Sequence, residues 1–261
     1  MKRAIVIGAT SGIGRALAER LAAEGYRVGV TGRREALLEE LAASRPGSFC
    51  YAAADIMDPA AACAALERLA GELGGMDLCV VSAGTGDLNP GLDYALEEPA
   101  IRTNVVGWTA AVDWAYGRFE ERGGGHLVVI TSVGGLRGGG AAPAYNASKA
   151  YQINYAEGLR QRAAKSGLPL PVTDIRPGFV ATEMAKGEGL FWVMPVDRVV
   201  EGIVRAIRRR RSVAVVTRRW RLPAWLIRHM PECIYRTRHH IEQGDFVAWK
   251  NSIIDQLGRI I

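Results

Sequence analysis

Residues 3–25, RAIVIGATSGIGRALAERLAAEG, set an apolar run, a glycine-rich turn and an amphipathic helical pattern in direct succession. That order of strand, turn and helix is what a dinucleotide site requires. Gly8 permits a tight turn, Gly12 lets backbone amides approach a pyrophosphate, and Gly14 lets the helix pack on the strand. The helix then offers its unpaired N–H groups to the anion. The glycines are spaced Gly-x-x-x-Gly-x-Gly rather than Gly-x-Gly-x-x-Gly, and an isolated match of this kind reads equally as an ordinary loop. The strand before it and the helix after it favour the binding site.

Outward from this unit, the strand-like runs VGVTG, SFCYAAA, DLCVVSAG, HLVVITS, LPVTDIR and VAVVT alternate with longer periodic segments. Alternation of this kind predicts an α/β fold, a doubly wound parallel sheet of Rossmann-like, three-layer α/β/α form. Near-continuous apolar strands such as DLCVV fit burial on both faces, with a ligand at the carboxyl ends of the strands. The chain has 261 residues and 49% apolar content, enough to bury one full core as a single domain. No apolar run reaches membrane-spanning length and no basic-apolar leader precedes Gly8, so the expectation is a cytoplasmic protein. Cys50, Cys63, Cys79 and Cys233 lack zinc-like spacing and read as small apolar residues, and no metal site is expected.

The chemistry concentrates in AYNASKA. Tyr145 and Lys149 stand one helical turn apart, and Ser132, ending HLVVITS, lies thirteen residues upstream. A phenol with an ordinary pKa near 10 is a weak acid at neutral pH. A neighbouring ammonium favours the phenolate and brings the group toward working range. This is the equipment for moving a proton to or from an alcohol or carbonyl oxygen. By itself the Tyr-x-x-x-Lys spacing is common on amphipathic helices.

Taken in order, GATSGIG, Asp55-Ile56, Ser82-Ala83-Gly84, Asn104, Ser132, Tyr145 with Lys149, and Pro177-Gly178 running to Thr182 resemble the compact, single-domain short-chain dehydrogenase/reductases over residues 1 to about 217. Ile7 and Val81-Ser82 depart from that family's usual residues. The resemblance implies catalysis by Asn104, Ser132, Tyr145 and Lys149, with Ser132 orienting the substrate oxygen and Tyr145 exchanging its proton. Lys149 would also bind the nicotinamide ribose, and Asn104 would hold a water that relays protons to the lysine. Cofactor contacts are implied at Gly8, Thr10, Ser11, Gly12, Ile13, Gly14, Asp55, Ile56, Ala83, Gly84, Tyr145, Lys149, Pro177, Gly178, Val180 and Thr182. For Asp55, an N-cap-like turn before Pro59 is the competing role.

Cofactor choice is read where the second strand ends. Eighteen residues after Gly14 stands Gly32, where an NAD enzyme of this fold has a carboxylate, and Arg33 and Arg34 follow at once. Paired guanidinium bonds to a 2′-phosphate favour NADP, with NADPH preferred over NADH; solvent-facing arginines at a helix start are the alternative. Substrate identity is less legible. Around 183–195 a lid carrying Met184, Leu190, Phe191, Trp192, Val193 and Met194 suggests an apolar ketone, aldehyde or alcohol, or else packing against the body. The glycine cluster at 134–140 is expected to be a mobile loop.

Two surfaces suggest partners. The segment NVVGWTAAVDWAYGRF presents Val105, Trp108, Val112, Ala115, Tyr116 and Phe119 at helical spacing, which predicts a homodimer or homotetramer contact or a core face. Residues 205–240 hold eleven arginines against Glu232 alone, so this stretch carries +10 and the rest of the +6 chain carries 6 − 10 = −4. A basic, Trp-containing extension over 218–261 is therefore expected beyond a catalytic domain of 1–217. It would pack internally or between subunits, or touch an anionic membrane, with nucleic acid disfavoured. The reading is an NADP(H)-dependent oxidoreductase. Its alternative is a catalytically silent nucleotide sensor or membrane-associated binding protein, against which the intact tyrosine and lysine argue.

Overall fold

A computed structural model describes residues 2–184 and 192–236, apart from the side chains of Cys233 and Arg236. Among them, β1 (Lys2–Ile7), β2 (Tyr26–Gly32), β3 (Phe49–Ala53), β4 (Leu78–Val81), β5 (His126–Ile130), β6 (Val172–Pro177) and β7 (Val213–Val216) form one sheet. The order is β3-β2-β1-β4-β5-β6-β7, and every pair is parallel. The helices are α1 (Gly12–Ala23), α2 (Glu35–Ser44), α3 (Pro59–Leu73), α4 (Tyr94–Ile101), α5 (Trp108–Glu121), α6 (Pro143–Ser166), α7 (Val196–Arg208), α8 (Arg221–His229) and α9 (Glu232–Arg236).

The period of two in a strand divides the apolar residues between two cores. In β1, Ala4 and Val6 join one core with Leu17 and Leu21 of α1, Leu38 of α2 and Ile203 of α7. Ile5 and Ile7 join the other, with Leu66 and Leu69 of α3, Trp108 of α5 and Ala156 of α6. The same split separates Leu78 and Val80 from Cys79 and Val81 in β4. Each layer of helices thus covers one face of the sheet. A fully buried Leu17 contributes about 1.5–3 kcal/mol by transfer alone.

Because β1 neighbours both β2 and β4, the chain reverses its direction of travel across the sheet beside β1. The crevice outside the carboxyl ends at that point is where a ligand can lie. In the loop after β3, Asp55 Oδ1 accepts the Met57 N–H at 2.9 Å, while Asp58 caps α3 by accepting the Ala61 N–H at 3.0 Å, with Pro59 following. The cap expected at Asp55 therefore belongs to Asp58.

Two further expectations change. Trp108, Val112, Ala115, Tyr116 and Phe119 are buried within this one chain, so core packing accounts for the stripe on α5. Apolar exposure falls instead on α4 and its flanks, at Leu92, Tyr94, Leu96, Ile101 and Val106. The glycine cluster after Ser132 packs closely at Gly134, Gly135 and Gly139, while Gly138 and Gly140 have open space around them. Val133–Leu136 forms a 3₁₀ turn, and a Cβ at Gly135 would lie 2.5 Å from the Lys149 carbonyl carbon. Arg137 donates to the Met230 carbonyl at 3.0 Å and to Glu232 at 2.5 Å.

The described part of 218–236 packs on the body: Trp220 and Ala224 are buried with Val133. No described helix is long and apolar enough to cross a membrane.

Candidate active site

Every residue expected at the site lies at the carboxyl edge of the sheet or on a helix beside it. The β1–α1 turn carries Gly8, Thr10, Ser11, Gly12, Ile13 and Gly14, and the ends of β2, β3 and β4 bring Arg33, Arg34, Asp55, Ile56, Ala83 and Gly84. Ser132 follows β5, Tyr145 and Lys149 lie on α6, and Pro177, Gly178, Val180 and Thr182 close β6 and continue from it.

In the nucleotide half the constraints are mostly on backbone. A Cβ at Gly14 would stand 2.0 Å from the Gly8 carbonyl oxygen, so only glycine lets α1 start this close to β1. Gly12 (φ 55°) faces Thr182, whose Cγ2 would be 3.3 Å from an added Cβ. Between them opens a cleft of about 530 Å³ lined by Ser11, Gly12, Thr182, Glu183 and Val193. Its far wall is pinned by backbone bonds from Ala181 N–H to the Met194 carbonyl and from Met194 N–H to the Phe179 carbonyl, both 2.9 Å. Met184, Trp192 and Val193 are exposed at this rim, whereas Leu190 and Phe191 lie outside the described residues.

At the end of β2, a Cβ on Gly32 would come within 2.7 Å of Thr10 Cγ2, so a larger residue there would require the Thr10 side chain to shift. Arg34 folds over the turn and donates to Thr10 Oγ1 at 3.0 Å and Ser11 Oγ at 2.6 Å. It also stands 3.7 Å from Glu183. Arg33 is exposed beside it. Two guanidiniums and two hydroxyls thus gather where the sequence lacks an acid. The glycine turn, the helix N-terminus and this corner together fit a dinucleotide.

The proton-transfer half sets half-buried Ser132 and Tyr145 against buried Asn104, Ser148, Lys149 and Gln152. Ser132 Oγ accepts the Gly134 N–H at 3.0 Å, which aims its hydroxyl. Burial raises the Tyr145 pKa above its usual value, and its hydrogen bond with Ser132 opposes that shift. The net direction is opposite to the lowering expected beside Lys149, because the phenol has lost solvent. Burial pulls Lys149 down to about 8, with Asp174 acting the other way. Its Nζ sits 5.9 Å from the Tyr145 ring centre and donates to the Ile130 carbonyl at 3.2 Å. A Cβ at Gly84 would lie 3.2 Å from both Lys149 Nζ and Asn104 Oδ1, so glycine leaves the space the ammonium uses.

Asn104 sits in a π-helical turn, Arg102–Gly107, that joins α4 to α5. Such turns widen a helix and recur at functional sites. Its Oδ1 accepts the Thr85 N–H at 2.9 Å, and its Nδ2 donates to the Thr85 carbonyl at 2.6 Å and to Ser148 Oγ at 2.9 Å. The side chain is therefore a clamp between the β4 loop and α6. The Asn104 carbonyl accepts Gln152 Nε2 at 2.8 Å, and Gln152 Oε1 accepts from Lys149 Nζ at 3.0 Å.

Gln152 had no sequence signal beyond its place in the helix. Also unforeseen is the buried group on β5 and β6, where Asp174 accepts from Thr131 Oγ1 at 2.6 Å and from Arg176 Nε at 2.7 Å. A polar alternation in LPVTDIR was its only trace.

Residues 2–190 match the family described as short chain dehydrogenase. The chain belongs to the short-chain dehydrogenase/reductase family. It is an NAD(P)-dependent oxidoreductase acting on CH–OH groups and their carbonyl counterparts. An uncharacterized oxidoreductase of Mycobacterium tuberculosis is 33% identical over 225 residues, spanning 82% of this chain and 88% of that protein. The 3-oxoacyl-acyl-carrier-protein reductase of Escherichia coli is 32% identical over 191 residues, 71% of this chain and 76% of that one. Among solved structures, a variant of actinorhodin polyketide ketoreductase with NADPH superposes with a TM-score of 0.65 at 30% identity, covering 70% of this chain and 72% of that one. Serine dehydrogenase from Escherichia coli gives a TM-score of 0.69 at 27% identity, covering 78% and 90%.

Proposed function

We propose that this dehydrogenase/reductase uses NADP(H), with NADPH preferred, to interconvert a carbonyl and a secondary alcohol on an apolar substrate. The observation that carries the reading is the half-buried Tyr145 hydrogen-bonded with Ser132 beside a buried Lys149 whose ammonium lies 5.9 Å from the tyrosine ring centre. When bound, the nicotinamide supplies or accepts the hydride. Ser132, its Oγ fixed by the Gly134 N–H, donates its hydroxyl hydrogen to the substrate oxygen and orients it. Tyr145 then gives its proton to that oxygen during reduction, or takes one back during oxidation. Lys149 stabilises the tyrosinate left behind, and Asn104 holds the loop and helix between which the lysine lies.

Arg33 and Arg34, with glycine rather than a carboxylate at position 32, support the NADP preference. Pro177 and Gly178, which lead from β6 toward Thr182 at the cleft, would lie toward the nicotinamide end. Exposed Phe179, Trp192 and Val193 at the rim support an apolar substrate portion. The test is NADPH oxidation against a panel of apolar ketones and aldehydes. Turnover with several of them supports the reading, and none with any of them removes it. Exposed Leu92, Tyr94, Leu96 and Ile101 favour a homo-oligomer formed through α4, which mass measurement with Tyr94→Glu and Ile101→Glu would dissociate.

A second reading concerns α8. It leaves Leu222, Trp225 and Leu226 exposed at 65%, 58% and 45%, flanked by exposed Arg218, Arg219, Arg221 and Arg228. An apolar ridge ringed by guanidiniums complements an anionic lipid surface. Co-sedimentation with anionic vesicles that Trp225→Ser and added salt both weaken supports this docking. Equal binding to neutral vesicles, or none, opposes it.

A further inference from the structure

A buried ammonium has three N–H bonds to place and no water to place them in. Lys149 is 4% exposed, and Asn104 and Gln152 are 0% exposed. One Lys149 donor reaches the Ile130 carbonyl at 3.2 Å and another reaches Gln152 Oε1 at 3.0 Å. The other end of the same amide donates from Nε2 to the Asn104 carbonyl at 2.8 Å. Gln152 therefore spans from the lysine on its own helix to the π turn on another, with both ends of its amide engaged.

We propose that Gln152 is a positioning residue of the active centre, a neutral strut that fixes the Lys149 ammonium against the π turn and leaves its remaining N–H directed toward the Tyr145 side of the cleft. This rests on reading Tyr145 and Lys149 as the proton-transfer pair. Neutrality is the point of the device. The titratable groups facing Lys149 are Tyr145 on its own helix and Asp174 on β6, and Asp174 is already bonded to Arg176 and Thr131. Among the described residues no carboxylate bonds the ammonium, and burial brings the lysine to about 8. A glutamate in place of Gln152 would keep the shape and the acceptor toward Lys149, but would add a negative charge. It would lock the lysine into an ion pair and lose the donor to Asn104. An amide supplies the acceptor and leaves the lysine able to give up its proton near physiological pH.

The chain has five lysines, so the side-chain carbons of ¹³C,¹⁵N-lysine-labelled protein can be followed individually by NMR, with Lys149→Arg assigning the resonance. In the native chain Lys149 is expected to titrate near 8. Gln152→Glu should raise that midpoint by about one unit or more, and Gln152→Met, which removes the acceptor, should lower it. The pH profile of kcat with NADPH should move the same way while KM for NADPH stays near its native value. Unchanged midpoints in both variants, with melting temperatures lowered, would make Gln152 a packing residue and overturn the proposal. Gln152→Glu is isosteric, so it carries the test if the methionine variant does not fold. The NMR midpoint does not depend on turnover, so a native chain that reduces no carbonyl defeats the functional reading separately.

Discussion

The two halves of the crevice are made of different materials. Around Gly8, Gly12, Gly14 and Gly32 the site is shaped by the absence of side chains, and its charged groups, Arg33 and Arg34, stand in solvent. Around Asn104, Ser148, Lys149 and Gln152 it is shaped by buried polar side chains whose hydrogen bonds interlock. Solvent-exposed guanidiniums tune affinity for a phosphate without changing the chemistry of the centre. Buried titratable groups set protonation, and so they set rate. The difference teaches that, on the proposed reading, selection of the extra phosphate and proton transfer draw on groups that share little of their environment, while Tyr145 and Lys149 are expected to touch the cofactor as well.

The sharpest way to break that division is Tyr145→Phe. Loss of the proton donor should lower turnover by about 10²–10⁴-fold while NADPH affinity changes only a few-fold. Parallel kinetics and calorimetric titration check it, and a comparable loss of affinity would merge the two halves.

Next in size is the pH dependence of stability. The Lys149 pKa falls from 10.5 in the unfolded chain to about 8 in the fold, so the unfolded state binds more protons between those values. Stability from this group therefore rises with pH across 8 to 10.5, by on the order of 3 kcal/mol at most. Denaturant unfolding of native and Lys149→Met chains should show their difference moving in the native chain's favour over that window. A flat difference would mean that the ammonium is not desolvated.

The smallest effect belongs to Gly12→Ala. With φ at 55° the alanine costs about 1–2 kcal/mol of strain and presses on Thr182 across the cleft. Melting should fall by a few degrees, and NADPH should bind more weakly with kcat preserved. An unchanged melting temperature would place the turn in another conformation.

Legibility in the sequence followed the same division. The glycine turn was readable because a backbone requirement converts directly into residue type: Gly14 is demanded by the Gly8 carbonyl. Tyr145 and Lys149 were readable because a helix brings residues four apart onto one face. Alternating apolar strands implied the parallel sheet, and the partition of Ala4 and Val6 from Ile5 and Ile7 shows why.

Gln152 was invisible because a polar residue three positions after a lysine in a helix looks like a solvated one. Its role exists only where the π turn approaches α6. The desolvation of Tyr145 was hidden for a related reason: spacing shows a nearby cation but does not show burial. The stripe on α5 could not be divided between core and interface until Trp108 and Phe119 were seen inside. Trp220 likewise lay in a stretch dominated by arginine, yet a Cβ at Gly178 would stand 2.2 Å from its ring, so it backs the loop after β6.

The measurement that tests the account most directly is calorimetric titration of the native chain and of the Arg33→Ala, Arg34→Ala double variant with NADPH and NADH. The account predicts that the native chain binds NADPH at least about tenfold more tightly than NADH, and that the double variant loses most of this preference while NADH affinity is little changed. Equal affinities in the native chain, or a preference that survives removal of both arginines, would contradict it.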